Sequence, residues 1–494
     1  MSVQLREACL IDLDRLTRLS LSTRYALALF GGVLNGAAFF FCGALTPHPH
    51  LPLHIALWGV NSARERAQLG AILGAVAGAH IYGVLNYGLF FFIAFILVCA
   101  IQMMLFGLVL GQRWRNLSPW HRPLLPASIW VLSEWLRTLG AFSMPASYAG
   151  CIASVEAFAP WLRWAAVGGG LFVSGLVALC PALLFELFFN LIRARRALFL
   201  WGSFLVALAL YDPSYSPTSG TTLQVTAVQG GYPNRHYLAI AEDPWLGAEI
   251  VRNYERLSEQ AFSRGADLVI WPETALQAPL INNPALEQRL YPKGEGQLLI
   301  AGLLHKDKSG RIWNLAAALG DGRVVDRAAK VKTIPLSEAE LTAGQDWWPL
   351  RTPLGSIGTL ICFESLYAEA GRRLSRRGAE LLVVMSNDAG FGYSPISAHM
   401  MNRAVVRAIE SGRWLVRVGQ AGLTSFIDPQ GRRVGELPLF VQATLSQEIY
   451  LSRRLTPFVR WGHWWLFIPA LFILISLFQR AEQGQREETD TATS

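Results

Sequence analysis

The sequence predicts an α/β layered domain inserted in a polytopic α-helical membrane domain of about eight helices. Three observations predict this fold class. Apolar residues make up 52% of the 494 residues and charged residues only 16%, whereas soluble domains usually carry about 25% charged residues. Charges are scarce up to about residue 211 but ordinary from 221 to 450. Within 221–450, short apolar runs alternate with segments of helical periodicity, as in α/β domains.

The membrane helices are predicted from apolar runs near the roughly 20 residues that cross a bilayer. Residues 1–23 are polar and are interpreted as a cytoplasmic N-terminal segment, followed by a transmembrane helical domain at 24–211 whose first helix is uncleaved. A C-terminal transmembrane helix is predicted at 460–478, and the polar tail at 479–494 is expected to be disordered and cytoplasmic. The other spans are predicted at 69–85, 88–110, 124–139, 164–192 and 197–211.

Arginine clusters predict how these helices are oriented. Basic residues collect near 64–66, 113–122 and 193–196, and the positive-inside rule places such clusters in the cytoplasm. With the clearly apolar spans alone, the basic clusters do not all fall on the cytoplasmic side. They do so only if the chain crosses the membrane once more between residues 46 and 64. Seven helices therefore precede the α/β domain, one follows it, and the domain faces away from the cytoplasm. Because these clusters account for the net charge of +8, binding to nucleic acid is not expected.

Polar side chains that could carry chemistry lie at or directly after short buried strands of the domain at 221–450. Glu273 follows an apolar strand and Pro272, Lys330 follows a second segment, and Cys362 ends a third. Taken singly, each has an ordinary explanation: a loop glutamate, a solvated lysine or an inert buried thiol. Lys332 is a rival to Lys330 because both point to the same face of an extended segment.

Together, the glutamate, the lysine and the cysteine supply a base, a cation and a nucleophile. The carboxylate of Glu273 can take the thiol proton while the sulfur of Cys362 attacks a carbonyl carbon. The ammonium of Lys330 favours the thiolate and stabilises the oxyanion, for which the backbone N–H of Phe363 is the expected second donor. Since the sequence has no convincing metal-ligand spacing and no phosphate-binding loop, neither a metal nor another cofactor is expected.

Four short motifs then identify a family resemblance. They are Trp271-Pro272-Glu273, Lys330 with Ile334-Pro335 and Glu338, Ile361-Cys362-Phe363-Glu364, and Ser386-Asn387-Asp388-Ala389-Gly390-Phe391-Gly392. In this order the motifs resemble those of the nitrilase, or carbon–nitrogen hydrolase, superfamily. With the membrane helices, the chain resembles the membrane-embedded branch of that superfamily, the apolipoprotein N-acyltransferases. The resemblance implies an α-β-β-α sandwich at 221–450.

The resemblance also implies a role for each matching residue. Glu273 is expected to be the general base and Cys362 the acylated nucleophile. The spacing from Lys330 to Glu338 fits the family and a start at Lys332 does not, so Lys330 is expected to be the catalytic lysine. Glu338 resembles a second essential glutamate. Glu364 matches an acid just after the nucleophile and is expected to orient the surrounding loop.

The reaction implied by the resemblance has two steps and two lipid substrates. A fatty acyl chain passes from a phospholipid to Cys362 as a thioester, and then to the N-terminal amine of a diacylglyceryl-cysteine apolipoprotein. The implied location is the bacterial inner membrane, with the catalytic domain on the periplasmic side and membrane lipid around the helices. Two alternatives stay open: a membrane-bound nitrilase-type amidase, and a nitrilase-like envelope or conjugal-transfer protein with a binding role.

Overall fold

A computed structural model of the chain describes residues 13–40, 51–111, 113–140, 143, 145, 159–214, 220–240, 243–277 and 284–476. The predicted tail at 479–494 and residues 1–12 of the predicted N-terminal segment lie outside the described residues. Up to residue 210 the described elements are all helical, and strands alternate with helices from 222 to 450. The first helices are Leu13–Thr17, Leu21–Phe40, Leu51–Leu57, Ala63–Gly78, Leu89–Leu110, Arg113–Asn116, Leu124–Leu136, Ala159–Leu162, Ala165–Phe189 and Leu191–Leu210, with a 3₁₀ turn at Tyr82–Tyr87.

Two of the described helices, Leu89–Leu110 and Ala165–Phe189, are long and apolar enough to cross a membrane. Shorter apolar helices lie at Leu124–Leu136 and at Trp464–Ser476, within the predicted C-terminal span. The structure therefore supports two of the roughly eight predicted spans, and the full count stays a prediction. One detail differs from the expectation: the arginines at 193–196 lie within the first turns of helix Leu191–Leu210 and not in a loop before it.

Helix Leu89–Leu110 packs against helix Ala63–Gly78, and the contact is made at two glycines of the latter, Gly70 and Gly74, which are four residues apart. A Cβ at Gly70 would lie 2.7 Å from the carbonyl carbon of Met103, and a Cβ at Gly74 would lie 2.8 Å from that of Cys99. Helices in lipid associate by such close approach of small residues. The opposite side of the same helix exposes apolar side chains four residues apart, as expected of a face in contact with lipid: Ile93, Leu97, Ile101 and Leu105.

Twelve strands lie in the described part of the α/β region. They are β1 Thr222–Gln229, β2 Leu268–Ile270, β3 Leu298–Lys306, β4 Ile312–Gly320, β5 Arg323–Ala329, β6 Leu350–Thr352, β7 Gly355–Ile361, β8 Leu381–Ser386, β9 Leu415–Gly419, β10 Thr424–Ile427, β11 Arg433–Leu437 and β12 Ala443–Tyr450. The helices are Asn234–Ala239, Pro244–Ser263, Pro284–Leu290, Ala368–Arg376, Ile396–Ser411 and Pro457–Trp461. The strands form two six-stranded sheets, in the orders β12-β1-β2-β3-β4-β5 and β11-β10-β9-β8-β7-β6.

The two sheets pack face to face between layers of helices. Alternate residues of a strand point to opposite faces, so Val383 of β8 packs between the sheets and Leu382 packs under the outer helices. Helix Pro244–Ser263 contributes to the outer core of the first sheet. Helix Ile396–Ser411 covers the second sheet, and its core is continuous with that of the membrane-type helices. This arrangement is the α-β-β-α sandwich that the sequence predicts.

A break in one long helix joins the two parts of the chain. Helix Ala165–Phe189 is interrupted at Gly169, where φ is 77°. The N–H of Gly170 donates to Oε1 of Glu410 at 2.7 Å. Glu410 lies near the end of helix Ile396–Ser411, so a buried carboxylate of the sandwich caps the half-helix that starts at the break.

Candidate active site

Three strand ends bring Glu273, Lys330 and Cys362 together. Glu273 lies three residues after β2, Lys330 directly follows β5, and Cys362 directly follows β7. The first two strands belong to one sheet and the third to the other. All three side chains are buried. We call these residues the Glu–Lys–Cys cluster; the structure brings them together, and their catalytic roles stay a prediction.

Lys330 lies between two carboxylates. Its Nζ donates to Oε1 of Glu273 at 3.1 Å and to Oε1 of Glu338 at 2.6 Å, and its side chain is 1% exposed. Burial alone would lower the pKa of Lys330. The surrounding negative charges, of which that of Glu273 has the largest effect, raise this pKa above its ordinary value. The lysine therefore remains an ammonium at neutral pH and can stabilise negative charge.

Glu338 and Lys332 occupy different positions relative to the Glu–Lys–Cys cluster. The second oxygen of Glu338 accepts the backbone N–H of Ile334 at 2.7 Å, which closes the loop that follows Lys330. The rival Lys332 is half-buried, and its Nζ lies 5.6 Å from the centre of the Tyr367 ring. Its side chain forms no ion pair with the carboxylates that hold Lys330, among the residues that the structure describes.

Three donors fix the carboxylate of Glu273. Asn314 donates from Nδ2 to Oε1 at 2.8 Å, and Lys330 donates to the same oxygen. The backbone N–H of Asn387 donates to Oε2 at 3.0 Å. Sequence reasoning missed Asn314, whose only signal is a polar residue in the otherwise apolar strand β4. The sequence likewise assigned Asn387 no role except membership of its motif. In the structure, the backbone N–H of Asn387 links the loop after β8 to Glu273.

Cys362 adopts a strained backbone conformation at the start of the 3₁₀ turn Cys362–Leu366. Its φ is +50°, and such non-glycine conformations cluster at functional sites. Burial raises the pKa of the Cys362 thiol, the negative charge of Glu273 raises it further, and Lys330 opposes both. Because the net shift is upward, the resting thiol is protonated and needs a base to become nucleophilic. Phe363 follows in the first turn, where backbone N–H groups lack helical partners.

Glu364 connects the cysteine segment to the lysine segment. Its carboxylate accepts four hydrogen bonds, from the backbone N–H groups of Val331 (2.7 Å), Lys332 (3.1 Å) and Ile361 (2.8 Å), and from Nε1 of Trp347 (2.8 Å). Burial raises the pKa of Glu364, and the three backbone donors oppose that rise. The carboxylate thus fixes the end of β7 relative to the residue after Lys330, in line with a positioning role.

An ion pair without solvent access anchors the loop after β8. Asp388 pairs with Arg417 of β9, and both side chains are 0% exposed. Asp388 also accepts a hydrogen bond from the hydroxyl of Ser386. Removing one partner of such a pair leaves an uncompensated charge, which typically costs about 3–5 kcal/mol. The pair therefore holds Asn387 firmly where its N–H reaches Glu273.

An apolar cavity of about 180 Å³ opens beside the sulfur of Cys362. Its walls come from both parts of the chain, and polar groups are few. The helical part contributes Val84, Phe91 and Phe95, and the sandwich contributes Phe363, Leu366 and Met400. Neither Glu273 nor Lys330 belongs to the lining. The nucleophile candidate therefore faces apolar space on one side and the charged groups on the other.

Replacing Glu273 by glutamine is expected to speed chemical labelling of Cys362 while it slows the acyl transfer that the family resemblance implies. The negative charge of Glu273 raises the pKa of the thiol, so its removal lowers that pKa and increases the thiolate fraction at about pH 8. Transfer should fall by on the order of 10²–10⁴-fold because the carboxylate predicted to act as general base is lost. The measurement is the pH dependence of Cys362 labelling by methyl methanethiosulfonate, followed by peptide mass spectrometry.

The labelling curve of Glu273→Gln should move to lower pH relative to that of the wild type. Glu340→Gln, which alters an exposed carboxylate of the nearby loop, is the matched control and should change neither rate. A Glu273→Gln curve at the same or a higher pH would show that this carboxylate does not control the thiol.

Comparisons with known proteins identify relatives of this chain. Residues 224–454 match the carbon-nitrogen hydrolase family. The chain is 30% identical over 411 residues to an apolipoprotein N-acyltransferase of Azotobacter vinelandii, covering 76% of this chain and 77% of the relative. It is 29% identical over 398 residues to an apolipoprotein N-acyltransferase of Pseudomonas syringae pv. tomato, covering 73% of this chain and 75% of the relative. Among solved structures, Saccharomyces cerevisiae Nit3, a member of branch 10 of the nitrilase superfamily, matches with a TM-score of 0.37 and 18% identity, over 47% of this chain and 93% of that chain.

Proposed function

The chain belongs to the apolipoprotein N-acyltransferase family, and we propose that it moves a fatty acyl chain from a phospholipid, via a Cys362 thioester, to the N-terminal amine of a diacylglyceryl-cysteine apolipoprotein. The observation that carries this proposal is the apolar cavity beside Cys362. Its walls combine side chains of a membrane-type helix with side chains of the sandwich. An acyl chain can enter such a cavity from lipid while its carbonyl reaches the sulfur, and water is excluded from the thioester.

In the first step, Cys362 attacks the ester carbonyl of the phospholipid. The thiol proton passes to Glu273 as the sulfur–carbon bond forms, and the carbonyl oxygen becomes an oxyanion. The ammonium of Lys330 and the N–H of Phe363 stabilise this charge. The bond to the glycerol oxygen then breaks, that oxygen takes the proton from Glu273, and a lysophospholipid leaves.

In the second step, the free amine of the acceptor attacks the thioester carbonyl. Glu273 takes a proton from the attacking nitrogen, and the tetrahedral intermediate again places its oxyanion near Lys330. The carbon–sulfur bond breaks, the amide forms, and the Cys362 sulfur regains a proton. Glu338 and Glu364 act as positioning residues, the former on Lys330 and the latter on the loop around the nucleophile.

The proposed location is the bacterial inner membrane, with several spans and the sandwich on the periplasmic side. The two helices long and apolar enough to span support membrane insertion, and the arginine clusters near 64–66, 113–122 and 193–196 support the orientation. This orientation predicts that a tag at residue 488 is shielded from reagents outside the cell. Labelling of that tag in intact cells would contradict it.

The experiment that tests the function uses the full chain in membranes with a phospholipid labelled in its acyl chain and a diacylated lipopeptide. We expect the label to reach the amine of the lipopeptide, and we expect no transfer with a lipopeptide whose amine is acetylated. A labelled thioester that only hydrolyses would instead support a membrane-bound amidase. Absence of any protein acylation would support a binding role and would overturn the proposal.

A further inference from the structure

Two segments from different parts of the chain meet beside Cys362. One is the 3₁₀ turn Tyr82–Tyr87, which directly precedes the membrane-type helix. The other is the loop that follows β8. They approach at two glycines: a Cβ at Gly83 would lie 2.7 Å from Cβ of Ser394, and a Cβ at Gly390 would lie 2.7 Å from Cζ of Tyr87. At both places, only a residue without a side chain permits the observed contact.

The ring of Tyr87 occupies the space that a side chain at position 390 would need. It packs on Phe391 with ring centres 5.0 Å apart, and it lines the apolar cavity together with Cys362. Gly390 does not belong to the lining. The ring therefore stands between the glycine and the cavity, and anything that pushes the ring away from the glycine narrows the cavity.

The environment keeps the tyrosine hydroxyl neutral. Burial raises the pKa of Tyr87, and the nearby negative charges of Asp388 and Glu273 raise it further. A protonated phenol adds no charge beside the thiol, so the ring acts through its size and shape. Tyr87 remains 38% exposed, so its ring is not packed on every side.

We propose that Tyr87 is a specificity-determining residue of the acyl site: its ring forms the cavity wall beside Cys362, and Gly390 leaves the space that the ring occupies. The assignment rests on the proposed function insofar as the cavity receives an acyl chain. It places a selectivity element on the helical part of the chain, while the reacting groups lie on the sandwich. Straight acyl chains fit beside the ring, and bulkier chains meet it.

This geometry gives opposite effects at the two positions. Tyr87→Ala removes the ring and widens the cavity near the sulfur. Gly390→Ala forces the ring toward the cavity and narrows it. In the double variant the added methyl group at 390 meets no ring, so that variant should behave like Tyr87→Ala. Residues in direct contact couple in this way, whereas independent residues show additive effects.

The test measures how fast Cys362 reacts with a small and a bulky alkyl methanethiosulfonate. In this reaction the thiolate forms a mixed disulfide with the alkylthio group, and methanesulfinate leaves. Peptide mass spectrometry on the Cys362 peptide excludes the other cysteines. We expect the ratio of bulky to small rates to rise about tenfold in Tyr87→Ala, to fall about tenfold in Gly390→Ala, and to match Tyr87→Ala in the double variant.

Tyr82→Ala is the matched control, because Tyr82 is an exposed tyrosine of the same turn that does not line the cavity. It should leave the ratio unchanged. The proposal would be overturned if Tyr87→Ala left the ratio of bulky to small labelling rates unchanged. It would also be overturned if Gly390→Ala changed this ratio equally in the wild-type protein and in Tyr87→Ala. A parallel assay of acyl transfer from straight-chain and branched-chain phospholipids should follow the same order. Because thiol labelling needs no acyl transfer, a failure of the proposed function would be seen separately.

Discussion

Replacing Cys362 by alanine is expected to lower acyl transfer by on the order of 10⁴-fold or more, because it removes the thiol that is proposed to form the thioester. Cys362 is the described cysteine that lies against the charged groups, whereas Cys99 and Cys180 lie in helices of the first part of the chain. The measurement is the rate of label transfer from phospholipid to lipopeptide at equal amounts of folded protein. Cys362→Ser should also be nearly inactive, since the less acidic hydroxyl is a poorer nucleophile beside this base.

Cys180→Ala is the control for the loss of a thiol as such. It removes a half-buried cysteine far in sequence from the Glu–Lys–Cys cluster and should retain transfer within about twofold. Substantial transfer by Cys362→Ala, at more than about a hundredth of the wild-type rate, would contradict covalent catalysis at this residue.

Replacing Lys330 by alanine is expected to lower transfer by about 10²–10³-fold, whereas Lys332→Ala should change it less than about threefold. Lys330 is buried between Glu273 and Glu338, and in the proposed mechanism it supplies the positive charge beside the developing oxyanion. Lys332 is half-buried and lies over an aromatic ring. The pair is a matched comparison of two lysines in one short segment.

Lys330→Ala also leaves the buried carboxylate of Glu273 and the half-buried carboxylate of Glu338 without their cation, so stability must be measured together with activity. Breaking such a buried pair typically costs about 3–5 kcal/mol, which should appear as a lower midpoint in thermal unfolding. Rates are therefore compared on the folded fraction. Equal loss of transfer in both lysine variants, or loss only in Lys332→Ala, would contradict the assignment of Lys330 as the catalytic lysine.

The sandwich could be predicted from sequence because its strands are locally distinctive. Strands β2 and β8 are short, largely apolar and buried along their whole length, and the last five residues of β7 are buried as well. The order of the motifs then identified the family, which the relatives confirm. The α-β-β-α arrangement follows from that identification, since periodicity alone does not specify how two sheets pack.

The groups that surround the candidate site could not be predicted in the same way. Asn314 reaches Glu273 from a different strand, and Arg417 meets Asp388 across two neighbouring strands. Such contacts depend on the sheet order, which no local pattern encodes. Tyr87 is a further case, because its approach to the cavity depends on how the helical part docks on the sandwich. The number of membrane spans rests on apolar length and charge, and the structure supports two of them.

The proposed acyl transfer depends most directly on one covalent intermediate, an acyl thioester on Cys362. The decisive measurement is a single turnover with excess enzyme and a phospholipid of defined chain length, quenched in acid and analysed by peptide mass spectrometry. We expect one acyl group on the Cys362 peptide before the acceptor is added, and we expect this group to be lost as the amide product appears afterwards. Amide formation without this thioester, or an acyl group on a different residue, would contradict the account.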